Sequence, residues 1–148
     1  PQMPVIADSR RSLRDYPPVI FKMNAAELAA MSGSAGGRGL DEVKSAARAL
    51  AHANGQLVFI TLAEQGIVGA APGGAVEHVP ALPLRGPIDI VGAGDSVTAN
   101  LIAATAAGAT LREAIELAIL ASSLVIHQLG TTGTAGVEQI AELLPALG

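Results

Sequence analysis

The chain has 148 residues, half of them apolar, which is one domain's worth with enough material for a core. Its 9 basic and 13 acidic residues give a formal charge of -4, and the small cluster Arg10, Arg11 and Arg14 is the nearest thing to a basic run, which argues against tracking of a nucleic-acid backbone. Without cysteine there is no disulfide framework or thiolate metal site, which fits a reducing, cytoplasmic setting, and no apolar run reaches the ~18 residues of a membrane span.

Aromatic residues are limited to Tyr16, Phe21 and Phe59, so the core must be built from Ala, Val, Leu and Ile. Val5-Ile6-Ala7 reads as a short buried strand ending at the polar Asp8, and Val19-Ile20-Phe21 as a second strand after a polar loop. A short helix is expected from Asn24 to the glycine- and serine-rich stretch Gly33–Gly39, itself expected to be mobile. Leu40, Val43, Ala47 and Leu50 fall at helical spacing and predict an amphipathic helix that stops at Asn54-Gly55. The continuous apolar run Leu57–Leu62 predicts a central parallel strand buried on both faces. Ile67 to Ala71 and Val76 to Val79, separated by Pro72-Gly73-Gly74, predict a hairpin.

The second half reads as helical. One helix is expected from Ala93 to Ala107, stopping at Gly108. Thr110 opens another, with Glu113 completing a capping box and Leu111, Ala114, Ile115, Ala118, Ile119 and Ser122 on one face; it is expected to end at Gly130. A last helix runs from about Val137 to Leu144. This order predicts an α/β sheet covered by helices.

The segment that carries chemistry is Asp89-Ile90-Val91-Gly92-Ala93-Gly94-Asp95-Ser96. A turn of small residues leading into a helix presents free N–H groups at the positive end of the helix dipole, where phosphate binds readily. Asp95 in the first helical turn could accept a proton from an incoming hydroxyl while the amides stabilise the transferred phosphoryl group. The same pattern also serves as a helix cap, and a lone G-x-G turn could belong to a dinucleotide site, although the third glycine of that fingerprint is missing.

Asp89 to Asp95 resembles the Asp-x-x-Gly-Ala-Gly-Asp signature of the ribokinase (PfkB carbohydrate kinase) family. Asn24-Ala25-Ala26-Glu27 resembles its N-x-x-E motif, Thr61 to Gly66 its strand-end nucleotide loop, and Ala107 to Ala114 with Gln128 to Thr131 its C-terminal helices. The likeness runs from Val5 to about Leu144. Within the family, Glu64-Gln65-Gly66, His78-Val79-Pro80 and Gly94-Asp95-Ser96-Val97 are most similar to the heptose-7-phosphate kinase subgroup.

The resemblance implies a three-layer α/β/α fold, the C-terminal portion of a ribokinase-like domain, with a mostly parallel sheet. It implies ATP-dependent, Mg²⁺-assisted phosphoryl transfer to a sugar or sugar phosphate, with Asp95 as general base and Gly92, Ala93 and Gly94 as the anion hole. Asn24 and Glu27 would place Mg²⁺ and phosphates through water, although their spacing alone reads as a capping pair. Thr61, Glu64 and Gly66 would contact ATP at the strand end; Ala63 stands where many members have glycine, while Gln65 reads as a solvated loop residue. Asp89 would hold a monovalent cation such as K⁺, or serve as a turn residue. Lys22 would neutralise phosphate or snorkel from a strand end, the second being the preferred reading.

Among the histidines, His127 reads as a surface or packing residue, His52 as solvated and His78 as part of an adenine-side loop. The family's sugar pocket and lid precede the matched region, so the 148 residues alone are expected to be inactive and to self-associate, and the full-length protein to be a homodimer. Other readings are a kinase for a nucleoside or fructose phosphate, or a nucleotide-binding remnant without kinase activity.

Overall fold

The structure, a computed structural model, describes residues 3–33 and 39–148. Most of the Gly33–Gly39 stretch expected to be mobile lies outside the described residues. In chain order the elements are β1 (Ile6–Asp8), β2 (Ile20–Asn24), α1 (Ala25–Ser32), α2 (Leu40–Asn54), β3 (Val58–Thr61), β4 (Ile67–Ala70), β5 (Val76–Val79), α3 (Ala93–Ala106), α4 (Leu111–Ile126) and α5 (Val137–Leu143). Short 3-10 turns occupy Ala63–Gln65 and Leu144–Leu147.

The five described strands lie side by side in chain order. β1, β2 and β3 run parallel, whereas β3–β4 and β4–β5 are antiparallel. The α/β fold is the expected one, but the pairing among the described strands is evenly mixed rather than mostly parallel. β3 is central and buried from Val58 to Ile60, yet parallel to only one neighbour, because the tight connection to β4 returns the chain at once.

Strand alternation assigns each side chain to a layer. Phe21, Met23, Val58, Ile60, Val68 and Ala70 pack with Leu28 of α1 and Val43, Ala47 and Ala51 of α2. Ile20, Phe59, Ile67 and Val79 project to the other side, against Val97 and Leu101 of α3 and Ala114, Ile115 and Ala118 of α4. Helices thus cover both faces of the sheet. With few aromatics, the helices come close: a Cβ on Gly69 of β4 would lie 2.7 Å from Ile115 Cδ1.

Local signals set the helix starts. Asn24 Oδ1 accepts from Glu27 N (2.9 Å) and Glu27 Oε2 accepts from Asn24 N (2.8 Å), a complete capping box for α1. Thr110 and Glu113 do the same for α4. The end of α4 differs from expectation: the helix stops at Ile126, not Gly130. The Asp89 amide donates to the Ile126 carbonyl at 2.8 Å, so an incoming loop satisfies the last turn where further helix would have done so.

Candidate active site

Parallel pairing brings the carboxyl ends of β1, β2 and β3 to one edge of the sheet, where ligands of α/β proteins bind. Asp8 is paired in register with Lys22, and Asn24 with Thr61. A cleft of about 980 Å³ opens at this edge. Asn24, Thr61, Glu64, Gly66, Ala93 and Gly94 line it, and Leu82, Leu84, Ile119 and Ile126 supply an apolar wall. Six of the residues singled out from sequence are therefore brought together. Glu27, Asp89, Gly92 and Asp95 do not line the cleft, but each adjoins a residue that does.

The turn before α3 is left-handed at Gly92 (φ 82°). Ser96 N closes the first helical bond to the Gly92 carbonyl at 2.9 Å. Of the three amides expected to face outward, that of Ala93 is committed: it donates to the Ile90 carbonyl at 3.1 Å. The amides of Gly92, Gly94 and Asp95 have no acceptor among the described residues. The donor set at this helix start is thus shifted toward Asp95, whose side chain is exposed and accepts no hydrogen bond there.

Lys22 corrects the sequence reading. It does not snorkel into water but is 6% exposed. Its Nζ donates to Asp8 Oδ2 at 2.8 Å, and a Cβ on Gly94 would stand 3.5 Å from the same nitrogen. An ammonium has three donors, and only one is filled among the described residues. Unfilled buried donors are costly, and an anion set beside this ammonium and the amides would fill them. The alternation of β2 held the signal: Lys22 shares a face with Ile20, so it points to the α3 side rather than outward. Thr98, which sequence reasoning missed, lies 3.0 Å from Asp8 Oδ2 through its Oγ1.

Asn24 and Glu27 are engaged as the cap of α1, which leaves Asn24 Nδ2 and Glu27 Oε1 without partners among the described residues. Asp89 acts as a turn residue: Oδ1 accepts from Val91 N at 3.0 Å and Oδ2 from Gly130 N at 3.3 Å. Ala63 is left-handed (φ 50°), so the backbone there follows a path that glycine would follow without strain. Gly66 (φ 90°) allows no side chain at all, since a Cβ would fall 2.0 Å from the Val79 carbonyl oxygen.

His78 lies on β5, not in a loop, with Nε2 2.7 Å from the Gln65 carbonyl oxygen. His127 caps α4: Nδ1 is 2.6 Å from Ser123 O, and Nε2 accepts from Arg85 N at 3.0 Å. His52 is exposed on α2. No described helix is long and apolar enough to cross a membrane.

The fold and this edge constellation define a ribokinase-like α/β domain. The model of the pfkB family carbohydrate kinases matches residues 3–137, and the chain belongs to that family. It is 33% identical to the bifunctional protein HldE of Rhodospirillum rubrum over 94% of its length, and 37% identical to HldE of Hyphomonas neptunium over 99%. It spans 28% and 30% of those two proteins, respectively. Among solved structures it is similar to Escherichia coli phosphofructokinase-2, with a TM-score of 0.75 and 24% identity over 86% of this chain and 40% of the other.

Proposed function

We propose that this chain is the ATP-binding and catalytic-base portion of a kinase that phosphorylates a hydroxyl of a sugar or sugar phosphate. The observation that carries the reading is the buried Lys22 ammonium, with two donors and the nearby α3 amides unfilled among the described residues, one residue from the exposed Asp95 carboxylate. Positive charge and amides on one side, with a proton acceptor adjacent, are what an in-line phosphoryl transfer requires.

In this reading the Asp95 carboxylate takes the proton from the acceptor hydroxyl. The hydroxyl oxygen bonds to the γ-phosphorus, and the bond from that phosphorus to the bridging oxygen breaks, leaving ADP. Gly94 and Asp95 amides and the Lys22 ammonium hold the phosphate oxygens as their charge is redistributed. Thr61, Glu64 and Gly66 bound the nucleotide's side of the cleft, and its apolar wall suits a base.

No cage of three acidic or histidine side chains exists among the described residues. Magnesium needs none, since it keeps several waters and binds largely through substrate phosphates. Glu27 Oε1 and Asn24 Nδ2 have no partner among the described residues, so Glu27 would hold the ion's water shell and Asn24 a phosphate oxygen. The ion would neutralise phosphate charge. Each Asp89 oxygen accepts one hydrogen bond, from Val91 N and from Gly130 N, and keeps a lone pair with which it would serve a monovalent cation.

The likeness to HldE proteins and the subgroup strings favour a heptose phosphate as acceptor. The test is Asp95→Asn in the whole protein. Turnover with ATP and heptose 7-phosphate is expected to fall by at least about a thousandfold while ATP binding is kept. Surviving turnover would remove Asp95 as the base.

A further inference from the structure

The ion pair that presents Lys22 to the anion-binding turn is itself held by a residue with no part in the proposed chemistry. Thr98 sits one helical turn beyond Gly94, and its hydroxyl is 3.0 Å from Asp8 Oδ2 and 3.0 Å from the Gly94 carbonyl oxygen. Asp8 Oδ2 is also the oxygen that receives the Lys22 ammonium at 2.8 Å. The single Thr98 hydroxyl proton is thus shared between the Gly94 carbonyl and the Asp8 carboxylate, which in turn holds the Lys22 ammonium beside Gly94.

We propose that Thr98 is a positioning residue: by fixing the Asp8 carboxylate it sets the Lys22 ammonium against the turn at Gly94. This rests on the reading of that turn as a phosphate site. The physical case has three steps. A lysine ammonium is a point charge on a flexible stem, so its place depends on what holds it. Its single described partner, Asp8, lies on a three-residue strand, and its side chain is 28% exposed. Alone, that carboxylate is free to turn toward water. Thr98, by contrast, is anchored in a helix, and the bond of its hydroxyl to the Gly94 carbonyl one turn back selects the rotamer that also meets Asp8, so it narrows the freedom that Asp8 retains.

Five variants of the whole protein test this: Thr98→Val, Thr98→Ser, Asp8→Asn, Lys22→Met and the pair Lys22→Met with Thr98→Val. Two measurements are needed. One is ATP affinity by titration calorimetry, with adenosine as the phosphate-free control. The other is the side-chain ¹⁵N ammonium resonance of Lys22, assigned by its loss in Lys22→Met and visible only while the ammonium is held.

Thr98→Val is expected to weaken ATP binding about tenfold, the scale of one charge-assisted hydrogen bond, and to broaden the Lys22 resonance away. Adenosine binding should not change. Thr98→Ser should recover ATP affinity to within about twofold, and Asp8→Asn, on another element, should reproduce the loss. In the Lys22→Met background, Thr98→Val should have no further effect.

An unchanged Lys22 resonance in Thr98→Val overturns the proposal, as does an equal loss of affinity with or without Lys22. If the wild type binds no ATP but the resonance responds to Thr98 as described, the positioning role stands and the nucleotide reading falls.

Discussion

Two neighbouring positions in the β3–β4 connection show how backbone conformation constrains single residues at the cleft. Gly66 has φ 90° and passes 2.0 Å from the Val79 oxygen if given a Cβ. Gly66→Ala is expected to cost roughly 3 kcal/mol or more, because left-handed strain and a backbone clash add. Urea unfolding would measure it. Ala63 has φ 50° without glycine's freedom. Ala63→Gly relieves a strain of about 1–2 kcal/mol and loses part of that to a more flexible unfolded chain, so the net change should be neutral or stabilising by up to about 1 kcal/mol in the same experiment. Both residues stand in the segment that the sequence marked for nucleotide contact. The sequence showed that Ala63 departs from a glycine pattern, but not that the backbone keeps the glycine-like path.

At the scale of elements, the start of α4 is a pH-sensitive joint. Glu113 is held below the usual carboxylate range by hydrogen bonds from the Thr110 backbone amide and hydroxyl. A depressed carboxylate stabilises the folded state above its ordinary value and loses that contribution as pH falls through the lower folded value. The stability gap between the wild type and Glu113→Gln should therefore be full near neutral pH and close in acid, below the ordinary glutamate range. Thermal unfolding across pH checks this.

Such joints were legible in the sequence because capping is local: Asn24 with Glu27 and Thr110 with Glu113 are three residues apart. The strands and the hairpin were legible for the same reason. What escaped was set at a distance. The environment of Lys22 depends on the register of β1 against β2 and on the docking of α3, neither of which has a local signal. The early end of α4 likewise depends on the loop carrying Asp89.

For the whole molecule, four of the ten exposed large apolar side chains among the described residues lie on the segment before α3. Leu84, Ile90 and Val91 are 59%, 73% and 60% exposed, and Ile88 is beside them in sequence. Apolar surface concentrated in this way promotes association. Sedimentation of the 148-residue chain is expected to show species larger than a monomer at tens of micromolar, reduced by Val91→Lys. A single monomeric boundary at all concentrations would count against this.

The bond between Asp8 and Thr98 spans 90 positions. The β3–β4–β5 meander needs only short loops to close, whereas this link waits for β1 and α3 to meet. During refolding, the meander should gain hydrogen-exchange protection first and the corner where Asp8, Lys22 and Thr98 meet last. A newly made chain would thus pass through a state in which the meander is assembled while the link between β1 and α3 is still open.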